Sequence, residues 1–246
     1  MGRESRKGKR RRQARSGQQP PPVGASSEYR RNIGRADDIL AKEGVEIRSD
    51  NWQQLALDWF APQEPERGEL ARYIADHEQR LGTPWAQELL RLEVFFQAED
   101  HAQIIAHYER AFPHYPRCAL VEMWVADQVF RHAGDFWRAR QMVRYAVDHL
   151  TGHAKPHYEL GFMSYLLGDF AGALGWFNQA AERVAADNVE MGARILYNRG
   201  MVQYLVKGDE KAAIADVEEA LRRKPDYPQA KETLRGLRGK VRWVPW

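Results

Sequence analysis

The chain has 246 residues, of which 43% are hydrophobic and 29% are charged, and its formal net charge is +3. This composition supplies enough apolar material for a core and excludes a collagen, a coiled coil and a wholly disordered chain. The single cysteine, Cys118, excludes an intramolecular disulfide and a multi-cysteine metal site, which favours a reducing compartment. No apolar run approaches the roughly 20 residues of a transmembrane helix. We therefore expect a cytoplasmic protein, or a nuclear one if the source is eukaryotic.

The charge is distributed unevenly along the chain. Residues 1–16 have a net charge of +7, residues 222–246 have +6, and the stretch between them has −10. Gly, Pro, Ser and Gln dominate the rest of the first 27 residues, which predicts a disordered polybasic tail over 1–27. No apolar segment follows the basic run, so a secretory signal is not expected.

The basic tail has several possible roles. A flexible polycation binds phosphate backbones because it releases their counterions, which favours RNA, the ribosome or another anionic surface. A solubilising tail, a nuclear-import signal and a tail that folds back on its own acidic body would have the same composition. The residues expected to contact an anionic surface are Arg6, Lys7, Lys9, Arg10, Arg11, Arg12 and Arg15.

An internal repeat begins in the middle of the chain. The segments GDFWRARQMVRYA, GDFAGALGWFNQA and GDEKAAIADVEEA start at Gly134, Gly168 and Gly208. Each has a small residue five positions after the glycine, a large apolar residue nine after and Ala twelve after, which places these residues on one helical face. A second apolar helix precedes each glycine. The sequence thus predicts helix pairs joined by a turn in which Gly has a positive φ and Asp caps the next helix.

This pattern resembles the tetratricopeptide repeat (TPR) family, whose unit is a helix-turn-helix of about 34 residues. The adjacent Leu160 and Gly161, the Gly-Asp turns, the recurring alanines and Pro225 all match. Units start near residues 120, 154 and 194, and a weaker one near 85 has Glu99 and Asp100 at its turn. The resemblance implies an all-α fold, a right-handed superhelical solenoid of TPR-like repeats with a C-terminal capping helix.

The expected domain organisation follows from these units. The tail over 1–27 is followed by a divergent helical N-terminal region over 28–84, the repeats over 85–225, and a capping helix with a basic, Trp-containing tail over 226–246. Residues 186–192 exceed the repeat length, which predicts a longer helix or an inserted loop.

The family resemblance also implies a binding surface. In TPR proteins the first helix of each unit lines a concave groove that holds an extended peptide or a partner helix. Large aromatic residues there would favour binding, although several could instead pack between repeats. Some members hold a chaperone C-terminus in a carboxylate clamp, which Glu159 and the lack of a Lys oppose here. An acidic body with an aromatic groove favours a neutral or basic apolar segment as partner. The expected groove residues are Phe96, Trp124, Gln128, Tyr158, Phe162, Tyr165, Asn198 and Val202.

The sequence contains no motif for catalysis. A Gly-rich phosphate loop and a nucleophile in a defined turn are both missing, so we expect no enzyme and no cofactor. His149, His153 and His157 have helical spacing for a metal, but Gly152 and Pro156 interrupt that helix, and no metal site is expected. Cys118 is expected to be a buried, inert thiol.

The leading hypothesis is a non-catalytic protein-protein interaction adaptor that binds a peptide segment in its concave aromatic groove. Its basic tail would anchor it to RNA, the ribosome or another anionic surface. One alternative is a nucleic-acid-binding protein that uses both basic ends and stacks bases on Trp243 and Trp246. Another is a repeat protein that self-associates through an incompletely capped end.

Overall fold

The structure is a computed structural model that describes residues 27–61 and 64–239. Within those ranges it is helical and contains no strand, which confirms the predicted all-α fold. The helices are α1 (Ser27–Lys42), α2 (Trp52–Phe60), α3 (Glu64–His77), α4 (Thr83–Gln97), α5 (His101–Ala111), α6 (Ala119–Gln128), α7 (Phe136–His149), α8 (Ala154–Leu166), α9 (Phe170–Arg183), α10 (Val189–Lys207), α11 (Glu210–Arg223) and α12 (Pro228–Leu237).

Helices α4 to α11 form four consecutive pairs, and each pair packs against the next. We call α4, α6, α8 and α10 the first helices and α5, α7, α9 and α11 the second helices. A π-helical turn over Val129–Ala133 extends α6. Residues 184–188 connect α9 to the 19-residue α10, so the extra residues of this unit both insert a loop and lengthen a helix. None of the described helices is long and apolar enough to span a bilayer.

The turns inside the last three pairs have the predicted geometry. Gly134, Gly168 and Gly208 have φ values of 68°, 79° and 63°, which L-residues with a Cβ rarely adopt. The aspartate after each glycine accepts a hydrogen bond from the backbone N–H three residues further on. This capping satisfies one free donor of the second helix, so the Gly-Asp prediction is confirmed.

The first pair makes the same turn without glycine. Glu99 occupies the glycine position with φ 51°, and Asp100 caps α5 through Gln103 N at 3.1 Å. A left-handed conformation costs a residue with a Cβ about 1 kcal/mol or more.

We expect Glu99→Gly to raise the free energy of unfolding by about 1 kcal/mol, measured by urea denaturation. Ala98→Gly is the matched control, because Ala98 is right-handed (φ −80°) and should lose stability. If Glu99→Gly instead lowers the free energy of unfolding, the backbone of Glu99 is not strained in the wild type.

Helix α1 begins at Ser27, at the start of the helical region expected over 28–84. Tyr29 fixes this end of the helix, since its side chain is buried, its hydroxyl lies 3.0 Å from His107 Nδ1 and Arg110 stacks over its ring. This contact joins residues 78 positions apart, and a local pattern does not reveal it.

In α3, Pro65 occupies the first turn, where a proline is tolerated.

His107 is buried and neutral at the junction of α1, α4 and α5. Its Nδ1 faces the Tyr29 hydroxyl and its Nε2 lies 2.9 Å from the Glu88 carbonyl oxygen, so an uncharged imidazole has a partner at each nitrogen. Burial lowers the pKa of His107 from 6.5 to about 4. Between these values the unfolded chain binds a proton that the folded chain does not, so acidification from pH 6.5 to 4 destabilises the fold.

His107→Gln should remove this pH dependence. The wild type is expected to lose about 3 kcal/mol more than the variant between pH 6.5 and 4, because 2.5 pKa units correspond to that free energy. Urea denaturation of both proteins across this pH range measures the difference. Parallel curves for the two proteins would show that His107 does not titrate in the assumed way.

Helix α12 covers the exposed face of α11. Ala230, Thr233 and Leu237 of α12 are buried, and Ala230 and Leu237 pack in one cluster with Ala213 and Val217 of α11. The basic tail over 1–27, apart from Ser27, and the C-terminal residues 240–246 with both tryptophans lie outside the described residues.

Candidate functional site

The predicted groove residues divide into two groups. Tyr158 and Val202 are 2% and 0% exposed and pack in the core cluster with Phe177. They therefore do not offer side-chain surface to a partner, because the neighbouring helices cover them. The other six are partly exposed on the first helices, and they are Phe96, Trp124, Gln128, Phe162, Tyr165 and Asn198.

The partly exposed aromatic residues form a strip that crosses consecutive repeats. The rings of Phe96 on α4 and Trp124 on α6 meet edge to face at 6.3 Å. Lys155 of α8 places its Nζ 3.1 Å from the centre of the Trp124 ring. Arg131 lies 5.4 Å from the centre of the Phe162 ring. We define the groove surface as Phe96, Trp124, Gln128, Phe162 and Asn198; Tyr165 packs against Phe170 of α9 at 5.8 Å.

Hydrogen bonds fix the polar residues of the groove surface. The Tyr158 hydroxyl accepts from Asn198 Nδ2 and Arg194 Nη2, each at 3.2 Å, and so links α8 to α10. Gln128 Oε1 lies 2.7 Å from Nδ1 of His101 on α5. Rigid side chains lose little entropy when they bind a ligand, so this arrangement is preorganised.

Charged side chains surround the middle of the groove surface. Burial raises the pKa of Glu159, and the nearby carboxylate of Asp127 raises it further. Burial also lowers the pKa of Lys155, which carries no hydrogen bond or ion pair to the described residues. Perturbed titratable groups that cluster in this way are typical of functional sites. Lys155 was missed in the sequence analysis, although it lies three, four and seven residues before Tyr158, Glu159 and Phe162 on the same helical face.

Helix α3 adds a further carboxylate from outside the repeats. Tyr73 donates its hydroxyl hydrogen bond to the Pro116 carbonyl oxygen at 2.6 Å, and Glu69 Oε1 lies 3.2 Å from His153 Nε2. These contacts bring Glu66 near Lys155 and Glu93, and burial raises the pKa of both glutamates. No local pattern could have placed Glu66 here, because the contact depends on how α3 crosses the repeats.

Arg199 is held by an ion pair inside the last repeat, where it donates to both oxygens of Asp216 at 2.6 and 2.7 Å. Among the described residues, no group of three or more His, Cys, Asp or Glu side chains could hold a metal. Cys118 is buried, and burial raises the pKa of its thiol to about 12, which makes it inert near neutral pH.

Comparison with known proteins gives the fold. No protein-family model and no curated protein matches this chain. The structure of YrrB, described as a TPR protein with an unusual peptide-binding site, matches with TM-score 0.52 and 17% identity over 82% of this chain and 89% of that one. MamA matches with TM-score 0.51 and 19% identity over 61% of this chain and 84% of that one. The APC/C hetero-tetramer Cut9-Hcn1 matches with TM-score 0.56 and 15% identity over 87% of this chain and 41% of that one. The chain therefore has a TPR-like helical-repeat fold, as its sequence predicts.

Proposed function

We propose that this protein is a non-catalytic adaptor that binds a segment of another protein on its groove surface. The observation that carries the proposal is the strip of Phe96, Trp124 and Phe162, which stays partly exposed on the first helices of three consecutive repeats. Aromatic side chains of this kind supply large contact area at low entropic cost. The description of YrrB as a peptide-binding TPR protein supports the same use of the fold.

The partner segment is expected to be apolar or aromatic, with a neutral or basic charge. Glu66, Asp127 and Glu159 interact with Lys155, whose ammonium rests on the Trp124 ring, and residues 17–221 have a net charge of −10. An acidic partner would meet like charges there, which lowers both its affinity and its association rate. Anchoring of residues 1–16 to RNA or the ribosome remains a prediction from their charge alone.

The test begins by selecting, from a displayed library of random sequences, peptides that bind the full chain. Trp124→Ala/Phe162→Ala should weaken binding of the selected peptides by at least about thirtyfold, as hot-spot residues do. Trp137→Ala is the matched control, since Trp137 lies on α7 and is 71% exposed. Circular dichroism checks that the variants remain helical. Unchanged peptide binding by the double variant would reject the groove assignment.

A further inference from the structure

Glu159 is a buried carboxylate without a donor. Its side chain lies on α8 beside the groove surface, and the residue is only 8% exposed. No described side chain or backbone group gives it a hydrogen bond or an ion pair. Its carboxylate oxygens keep some contact with solvent, which leaves them open to a donor from a ligand. Burial and the carboxylate of Asp127 raise the pKa of Glu159, and Lys155, Arg194 and Arg131 lower it by smaller amounts.

Three other carboxylates face the same region from different helices. Asp127 on α6 interacts with Lys155 and Glu159, while Glu66 on α3 interacts with Lys155 and Glu93. We call Glu66, Glu93, Asp127 and Glu159 the acidic cluster. Arg131 forms an ion pair with Asp127, and Lys155 makes no close contact with the cluster because its ammonium rests on the Trp124 ring.

We propose that the basic N-terminal segment of the chain, residues 3–15, binds the acidic cluster and covers the groove surface until a partner displaces it. The inference rests on the proposed function, since the same groove would receive the partner. Residues 1–16 carry +7 against the −10 of residues 17–221. Arginine is the preferred donor for such a site, because its guanidinium forms paired hydrogen bonds with a carboxylate.

The segment is long enough to reach the acidic cluster. The 26 residues before Ser27 span up to about 86 Å when extended, at about 3.3 Å per residue. They join α1, which packs on α4. Glu159 lies on α8, the first helix two repeats beyond α4, and the axes of neighbouring helices are about 10 Å apart. A tether of this length gives an effective concentration of about a millimolar, so even a weak contact would be populated.

The experiment uses the full chain and a labelled synthetic peptide of residues 3–16 as the probe. In the neutralised-tail protein, Lys7, Lys9, Arg10, Arg11 and Arg12 are replaced by Gln. This protein should bind the probe, and the wild type should bind it at least about tenfold more weakly, because its own tail occupies the site. Equal binding of the probe by both proteins, or no binding by either, would overturn the proposal.

Glu159→Gln in the neutralised-tail protein locates the contact. It should weaken probe binding by at least about tenfold, since it removes the charge that pairs with arginine. The variant should fold, because it replaces a carboxylate that has no hydrogen bond in the chain. Glu182→Gln on α9 is the matched control, with the same loss of charge at a side chain that is 72% exposed, and should leave binding unchanged. If Glu159→Gln binds the probe normally, the tail does not use this site.

The two proposals fail separately. If library peptides bind the wild type through Trp124 and Phe162 but the probe does not bind the neutralised-tail protein, the adaptor function stands and the tail contact is wrong. If the probe binds through Glu159 but library peptides bind equally well after Trp124 and Phe162 are replaced, the tail contact stands and the adaptor function is wrong. If the tail binds a single-stranded RNA oligonucleotide and Glu159→Gln leaves probe binding unchanged, the tail contact is overturned in favour of nucleic acid.

Discussion

Phe177→Ala is expected to lower the free energy of unfolding by about 3 to 5 kcal/mol, because it empties the contact between α8 and α9. Phe177 is 0% exposed, and its ring packs 5.8 Å from the centre of the Tyr158 ring. A Cβ added at Gly161 would lie only 2.7 Å from the Phe177 ring, so the two helices approach as closely as glycine permits. Urea denaturation followed by circular dichroism measures the loss.

The double variant Gly161→Ala/Phe177→Ala tests the cause. Gly161→Ala alone should cost about 1 to 3 kcal/mol through overpacking against the ring. In the Phe177→Ala background the added methyl group meets empty space, so its cost should largely disappear. If the two losses add, the close approach at Gly161 does not depend on Phe177, and the packing account of the α8–α9 pair is wrong.

Arg117→Met is expected to lower the free energy of unfolding by about 2 kcal/mol, because it leaves a buried carboxylate without its cation, while the 55% exposure of Arg117 keeps the loss below that of a fully buried pair. Glu122 is 2% exposed and accepts hydrogen bonds from Arg117 Nε at 2.7 Å and Nη2 at 2.8 Å. The Tyr108 hydroxyl donates to the same carboxylate at 2.7 Å. These contacts hold α6, the helix that carries Trp124, against α5.

The double variant Arg117→Met/Glu122→Gln supplies the control. It removes both charges, and the amide oxygen of the new side chain still accepts the hydrogen bond from the Tyr108 hydroxyl, so most of the stability lost in Arg117→Met should return. Urea denaturation of both variants at neutral pH gives the comparison. A loss below about 1 kcal/mol in Arg117→Met would place this pair among ordinary surface ion pairs.

The turns of the repeats could be predicted because local chemistry determines them. Gly134, Gly168 and Gly208 must adopt a positive φ, and the following Asp can cap a helix only at that place, so the sequence alone locates each turn. Glu99 shows that the same turn forms without glycine when the rest of the unit fixes it. The π-helical turn over Val129–Ala133 has no such signal, and the sequence analysis did not predict it.

The candidate site was predicted less completely than the fold. Helical periodicity shows which face of α8 carries Tyr158, but it does not show how far α10 covers that face, and Tyr158 is buried by its neighbours. Glu66 reaches the acidic cluster only through the tertiary contacts of α3. Residues within one helix were therefore predictable, whereas burial between repeats and contacts from the N-terminal region were not.

The most direct test of the adaptor function is amide hydrogen exchange of the full chain with and without a library-selected peptide. If the peptide binds the groove surface, exchange should slow in the first helices, above all over 119–133 and 154–166, and should change little in the second helices. Protection confined to the second helices, for example around Trp137 on α7, would contradict the proposed function, because the partner would then bind outside the groove surface.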